Sequence, residues 1–311
     1  MRRSSVRPTS GAWPWCSPGP VISGTESGAV ARSLGSLEPM VTRRELPDGD
    51  APELTPYRTM KAQHSHLGGG VFVAEGDKVV HRLIESRLGL RSVLAPPAEA
   101  DALEARLRAA GRTADLFLAP RAVLEGFTGF PIYQGILALG EVPRPDSLQD
   151  LLSGPGPGLL TAMDGLTSGE NVGAVIRNAS AFGARGLIIG PTSAHPYLRR
   201  SVRSSMGTVF GQPYVLAASL PESLRQLRAL GVTVVAAHPG ASACSVHRLP
   251  AHPPLCVVLG AEGEGISPEV LDVCDVSASI PMESGVDSLN VAAASAVFFS
   301  EIRRLRGSSQ T

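Results

Sequence analysis

The chain has 311 residues, 43% of them hydrophobic, with 28 basic and 28 acidic side chains and a formal net charge of zero. That size and apolar content can bury one or two cores, and no apolar run approaches membrane-spanning length. The neutral balance argues against a large nonspecific nucleic-acid surface but leaves room for a local basic patch.

Residues 1 to about 48 are rich in Pro, Gly and Ser and show no sustained apolar period, so a disordered extension is expected, drawn here as 1–55. Arg2, Arg3 and Arg7 precede any acid, which leaves a transit peptide open; an unstructured extension, or a start codon placed too early, is the plainer reading. From Tyr57 the pattern sharpens. Val71-Phe-Val-Ala, Ser92-Val-Leu-Ala, Asp115-Leu-Phe-Leu and Gln134-Gly-Ile-Leu-Ala-Leu read as strands. Between them, 76–87 and 98–110 carry apolar residues at helical spacing. This predicts a small α/β unit over 56–142. Residues 143–157 carry Pro143, Pro145, Pro155 and Pro157 with Gly154 and Gly156 and read as a linker, with one or two helical turns over 146–152.

A second unit is predicted over 158–308. It opens on the strand Leu159-Leu-Thr-Ala-Met-Asp164, and a polar loop then leads to a helix starting at Asn171. Strands follow at 186–190, 214–217, 232–237 and 255–259, with helices at 198–204, 221–230 and 266–273. The 198–204 helix exposes Arg199, Arg200 and Arg203. Five or six strands alternating with helices imply a mostly parallel sheet covered on both faces. Strand 255–259 ends in Gly260-Ala-Glu-Gly-Glu-Gly265, which fits neither dinucleotide nor P-loop spacing and alone reads as a tight turn. The run Val276 to Ile280 is then broken by Pro281 and Gly285. Asp287, Ser288 and Asn290 are helix-start residues, followed by Val291, Ala294, Phe298, Ile302 and Leu305 as one buried stripe. Ligands of open α/β sheets sit beyond strand carboxyl ends, so the loops after Gly260 and Ile280 are expected to lie side by side.

Three stretches, in order, carry a resemblance: Asn171-Val-Gly-Ala-Val-Ile-Arg-Asn-Ala-Ser-Ala-Phe-Gly183, Gly260-Ala-Glu-Gly-Glu-Gly265, and Ile280-Pro-Met with Ser288-Leu-Asn-Val-Ala. They resemble the motifs of the SpoU (TrmH-type) RNA ribose 2′-O-methyltransferases of the SPOUT superfamily. The segments 72–80 and 134–138 resemble the substrate-binding domain of many such enzymes, itself similar to RNA-binding ribosomal proteins. There Glu75, Lys78 and Gln134 are candidates to face RNA, with solvated surface or a cap as the plainer alternative for each. The resemblance implies a C-terminal trefoil knot, S-adenosylmethionine as cofactor, a homodimer with sites at the subunit interface, and RNA as substrate. Ribosomal RNA is favoured over transfer RNA, because the shortest transfer-RNA members lack the first domain.

The resemblance also places Gly260, Ile280 and Leu289 at the positions whose backbone binds the adenosine part of the cofactor, with Leu259 and Met282 as apolar walls. It puts Arg177 at the ribose hydroxyl, with Asn171, Glu262, Ser288 and Asn290 around it. Guanidinium is effectively always protonated, so Arg177 is expected to act as a fixed cation that stabilises developing alkoxide, with Glu262 orienting it or accepting the proton. A plain surface arginine is the bland alternative. Arg199, Arg200, Arg203 and Lys78 are the RNA-contact candidates, although a basic set holding only two lysines, Lys61 and Lys78, reads mainly as genomic base composition. A catalytically inactive RNA-binding or ribosome-assembly protein on the same fold is the competing class.

The four cysteines, Cys16, Cys244, Cys256 and Cys274, fit neither a zinc site nor a disulfide framework. Buried free thiols in a reducing cytoplasm are expected. No histidine pair has metal-ligand spacing; His64, His66, His195, His238, His247 and His252 are expected to be exposed, and no metal is expected.

Overall fold

The computed structural model describes residues 40–128, 135–153, 158–240, 243–250 and 254–307. Most of the expected extension, together with Gln134 and His252, lies outside them.

The first domain is a five-stranded mixed sheet in the order β1-β4-β3-β5-β2. Its strands are β1 (Val41–Glu45), β2 (Val71–Glu75), β3 (Leu90–Ala95), β4 (Ala114–Leu118) and β5 (Leu137–Glu141). Its helices are α1 (Thr55–Arg58), α2 (Gln63–Gly68), α3 (Asp77–Glu85), α4 (Ala100–Ala109) and α5 (Arg121–Thr128). The boundary at residue 55 is corrected by β1, which pairs in parallel with β4 from Val41↔Ala114 to Glu45↔Leu118. Four of its five residues are exposed, so backbone pairing at a sheet edge, not apolar burial, recruits it. The α3 stripe is as expected: Val79, Val80, Leu83 and Ile84 are buried and Lys78 is exposed.

The segment between the domains is docked. Helix α6 (Leu148–Ser153) buries Leu148 and Leu151, and Asp146 accepts the Tyr214 amide at 3.0 Å.

The second domain is a seven-stranded sheet, ordered β10-β12-β9-β11-β6-β7-β8, with every pairing parallel. Its strands are β6 (Leu159–Asp164), β7 (Gly186–Ile189), β8 (Tyr214–Leu216), β9 (Thr233–Ala237), β10 (Cys244–Ser245), β11 (Leu255–Gly260) and β12 (Val276–Ser279). Its helices are α7 (Gly169–Ala181), α8 (Arg199–Ser204), α9 (Leu220–Ala229), α10 (Pro268–Leu271) and α11 (Val291–Gly307). The count exceeds the expected five or six because β10 has only two residues, inside a Pro- and Ser-rich loop with no apolar signal. Alternation along β11 feeds two cores. Leu255, Val257 and Leu259 join the face covered by α7 and α11, and Cys256 and Val258 join the face covered by α6 and α9. Burial on both faces is why these strands read as continuous apolar runs.

The two domains share one of these cores, which runs from Leu83 and Phe72 through Tyr197 and Phe210 to Val172 and Phe298. Phe72 packs on Tyr197 and Phe210 with ring centroids 5.0 and 5.6 Å apart.

Candidate active site

β11 and β12 end on the same side of a parallel sheet, flanking β9, and their following loops meet the start of α11. A cavity of about 530 Å³ lies there, lined by residues that include Leu259, Gly260, Ile280, Met282 and Leu289, all five expected cofactor positions. Its size is that of a small-molecule site. Glu262, Glu264 and Asp287 also line it, as do Ser288, Asn290, His238 and Phe298. The lining therefore holds both apolar side chains and carboxylates, which suits a ligand with a flat heteroaromatic part and a cationic part.

The loop after β11 closes on itself. Ala261 and Gly265 exchange both backbone hydrogen bonds, at 2.9 and 3.0 Å. A Cβ on Gly260 would sit 2.3 Å from the Gly265 carbonyl carbon and 2.4 Å from the Ile266 amide nitrogen. Glycine at 260 is thus a requirement of the loop before any ligand arrives. Asp164, at the end of β6 and paired with Gly260 across the ladder, anchors the far side: its Oδ2 accepts both the Ser267 amide and the Ser267 hydroxyl at 2.8 Å. Sequence reading does not select Asp164; its place at a strand end beside the glycine loop is the available signal.

Asn290 caps α11, with Oδ1 accepting the Ala292 amide at 2.9 Å, and its Nδ2 donates to Glu262 at 2.5 Å and to Asn171 at 3.5 Å. Three of the expected catalytic residues therefore converge. Ser288 lines the cavity rim beside them. Helix α7 begins at Gly169, two residues earlier than expected, because the Ser168 hydroxyl caps it by accepting the Asn171 amide. Asn178, which sequence reading does not select, locks α7 to α11 by donating to Ala292 O at 2.7 Å and Ser295 Oγ at 2.9 Å.

Arg177 stands apart. It is exposed on α7 and is not among the cavity-lining residues, and it lies six positions along the helix from Asn171, a rise of about 9 Å. Within this chain, Glu262 is held by Asn290.

Two further expectations change. Arg199 is not on an exposed basic face. Its side chain is 12% exposed and paired at 3.0 Å with Glu75, itself 6% exposed; Glu75 is accordingly buried and faces no RNA. Arg200 is exposed, and Arg203 is 56% exposed while 3.5 Å from Glu75. His195 is not an exposed loop histidine. Its Nδ1 accepts the Tyr197 amide at 3.1 Å, and burial, with a smaller push from His64, lowers its pKa to about 4. His238, also expected to be exposed, is half-buried in the cavity wall.

Comparison with known proteins gives consistent findings. Residues 158–300 match the model of the SpoU rRNA Methylase family. An uncharacterized tRNA/rRNA methyltransferase of Mycobacterium tuberculosis is 32% identical over 269 residues, covering 84% of this chain and 92% of that protein. A 23S rRNA (guanosine-2′-O-)-methyltransferase of Ralstonia nicotianae is 36% identical over 186 residues, 59% of this chain and 74% of that one. Among solved structures, an AdoMet-bound rRNA methyltransferase from Sinorhizobium meliloti superposes with a TM-score of 0.73 at 26% identity, covering 84% and 98% of the two chains. The SpoU methyltransferase AviRb from Streptomyces viridochromogenes, in complex with AdoMet, gives 0.71 at 27%, covering 83% and 99%.

Proposed function

The chain belongs to the SpoU rRNA methylase family, and from that premise we propose that it methylates a ribose 2′-hydroxyl of ribosomal RNA using S-adenosylmethionine. The observation that carries this reading is the cavity where the β11 and β12 loops meet the capped start of α11. Its residues fit the cofactor: Leu259, Ile280, Met282, Leu289 and Phe298 offer apolar walls to adenine, and Glu262, Glu264 and Asp287 suit a sulfonium cation. When bound, the cofactor supplies an electrophilic methyl group.

The chain's own groups do the rest. Asn290 and Glu262 form a polar floor at the cavity, joined to Asn171 on α7. A bound 2′-hydroxyl must be placed for attack and relieved of its proton. Ser288, Asn290 and Asn171 offer the hydrogen bonds that place it, and Glu262 is the carboxylate within reach to take the proton. Arg177 supplies a fixed positive charge for the developing alkoxide and the neighbouring phosphate. Because Arg177 does not line its own chain's cavity, we propose a homodimer in which it serves the partner's site. Exposed Val286, Leu289 and Val297 beside the elbow and on α11 support such a contact.

Arg200, Arg203 and Lys78 are the proposed RNA contacts. The order in which β12 inserts between β9 and β10 is compatible with a C-terminal trefoil knot, which we include in the proposal. Among the described residues no helix is long and apolar enough to cross a membrane; a cytoplasmic location is part of the same proposal.

Mapping of 2′-O-methyl sites in RNA from a strain lacking the gene tests the function. Loss of one ribosomal site, restored by the purified protein and S-adenosylmethionine, is the expected result. Loss of a transfer-RNA site would correct the substrate. Unchanged maps, with no transfer in vitro, would favour the inactive RNA-binding reading.

A further inference from the structure

The seam between the two domains is built on α8. On one side stands Glu75, at the end of β2. It takes the Arg199 guanidinium at 3.0 Å and the Arg203 guanidinium at 3.5 Å, and Arg199 also reaches Met60 Sδ at 3.1 Å. Just beyond α8, Arg82 of α3 donates to Met206 O at 2.5 Å. Met206 is the one non-glycine residue with positive φ, 55°, among the described residues, a conformation that persists only where surrounding contacts over-determine it.

On its other side α8 touches α7 with no space between them. A Cβ on Gly173 would lie 2.0 Å from Ser204 Oγ and 2.3 Å from Ser201 O. Ser204 Oγ also donates to Glu170 O at 3.0 Å, in the first turn of α7. The same α7 carries Asn171 and Arg177. A first-domain carboxylate is therefore tied, through one six-residue helix, to the helix that holds two of the proposed catalytic groups.

We infer that Glu75 is a positioning residue for methyl transfer: by fixing α8 against the first domain, it fixes α7 and the side chains of Asn171 and Arg177. The inference rests on the functional reading of α7 given above. Burial removes Glu75 from any contact with RNA, so its effect must pass through α8. A carboxylate buried between two guanidiniums cannot let either helix or sheet drift without stranding a charge, and close packing at Gly173 leaves α7 no slack to absorb a shift of α8. Glu75 also lies outside residues 158–300, the span matched by the family, so this device is carried by the first domain.

The test compares wild type with Glu75→Gln, which keeps shape and removes charge. Arg82→Ala serves as a second variant at an exposed site, which folding should tolerate. Hydrogen–deuterium exchange, binding of S-adenosylhomocysteine, and steady-state methyl transfer to in vitro transcribed ribosomal RNA are measured on each. For Glu75→Gln we expect faster exchange in 199–206 and 169–178 but not in 224–237, kcat lower by about tenfold, and KM and cofactor-product affinity within twofold of wild type. Arg82→Ala should move the same quantities less. Unchanged exchange in α7 would overturn the inference, as would an unchanged kcat despite a loosened α7. A parallel collapse of KM and cofactor-product affinity would also overturn it, by showing a general structural role. If wild type transfers no methyl group at all, the functional reading fails on its own, and exchange in α7 alone decides whether Glu75 sets that helix.

Discussion

Asn290 holds Glu262 and the start of α11 with a single side-chain amide, donating to the carboxylate at 2.5 Å and accepting the Ala292 amide at 2.9 Å. The two jobs can be separated. Asn290→Ala loses both and should cost ~1 kcal/mol of stability for the missing cap. Asn290→Asp keeps a good cap but sets a second carboxylate against Glu262. Melting curves should therefore favour Asp over Ala, while single-turnover methyl transfer should be poor in both. An Asp variant as active as wild type would remove the Asn290–Glu262 contact from the mechanism.

Gly260 and Leu289 should fail differently in cofactor binding. Gly260→Ala forces a methyl group into the Gly265 backbone, so the loop cannot close and calorimetry with S-adenosylhomocysteine should detect no binding. Leu289→Ala, at a side chain 41% exposed, should leave the fold intact and weaken binding about tenfold, the low end for burying a leucine against a ligand. Equal affinities for Leu289→Ala and wild type would remove the Leu289 side chain from the adenine wall.

Arg177→Lys separates a base from a clamp. Lysine retains charge and can lose a proton, but a point charge does not replace a planar fork. We expect a rate loss of ~100- to 1,000-fold, as for loss of one preorganised donor, with cofactor-product affinity unchanged because Arg177 is proposed to act at the ribose hydroxyl and not at the adenosine part of the cofactor. Near-normal turnover in the lysine variant would defeat the clamp.

The three arginines of α8 should also diverge. Arg200→Ala should lower the slope of log affinity against log salt by about 0.7 to 0.9 for each phosphate that is no longer neutralised, without a change in melting temperature. Arg199→Ala takes from buried Glu75 its nearer cation and leaves Arg203 at 3.5 Å, so it should destabilise by less than the ~3–5 kcal/mol of a fully unpaired buried charge, read from denaturant melts. A salt slope insensitive to Arg200 would make it plain solvated surface.

His195 predicts a pH dependence. Its folded pKa, about 4, lies below the ordinary histidine value of 6.5, so the unfolded chain binds the extra proton between those values. Stability from this group is full above pH 6.5, falls as pH drops towards 4, and changes no further below that. The slope is at most ~1.4 kcal/mol per pH unit. Thermal melts of wild type and His195→Gln across pH 4 to 7 should converge towards the acid end; parallel curves would count against it.

The cavity is legible from sequence because its makers are local: glycines at one strand end, a proline just after another strand, and a capping residue before an apolar stripe. What cannot be read depends on partners far along the chain. Arg199 looks like one of a basic trio until Glu75, 124 residues away, takes its charge. β1 has the composition of a solvated tail because an edge strand with polar faces leaves no periodic mark. Glu262 is named by its motif, yet its hold by Asn290, 28 residues on, is not.

The order of strands also bears on how the protein comes to exist during synthesis. β10 leaves the ribosome well before β12, yet β12 is the neighbour that holds it in the sheet and separates it from β9. A nascent chain that has emerged only as far as β11 can pair β9, β11, β6, β7 and β8, but it has no second wall for the cavity and no cap for α11. The binding pocket is therefore absent throughout most of translation and forms in one late step, when β12 seats itself and Asn290 begins the final helix. Until then the cofactor has nothing to bind, so any help it gives to assembly is confined to that last step.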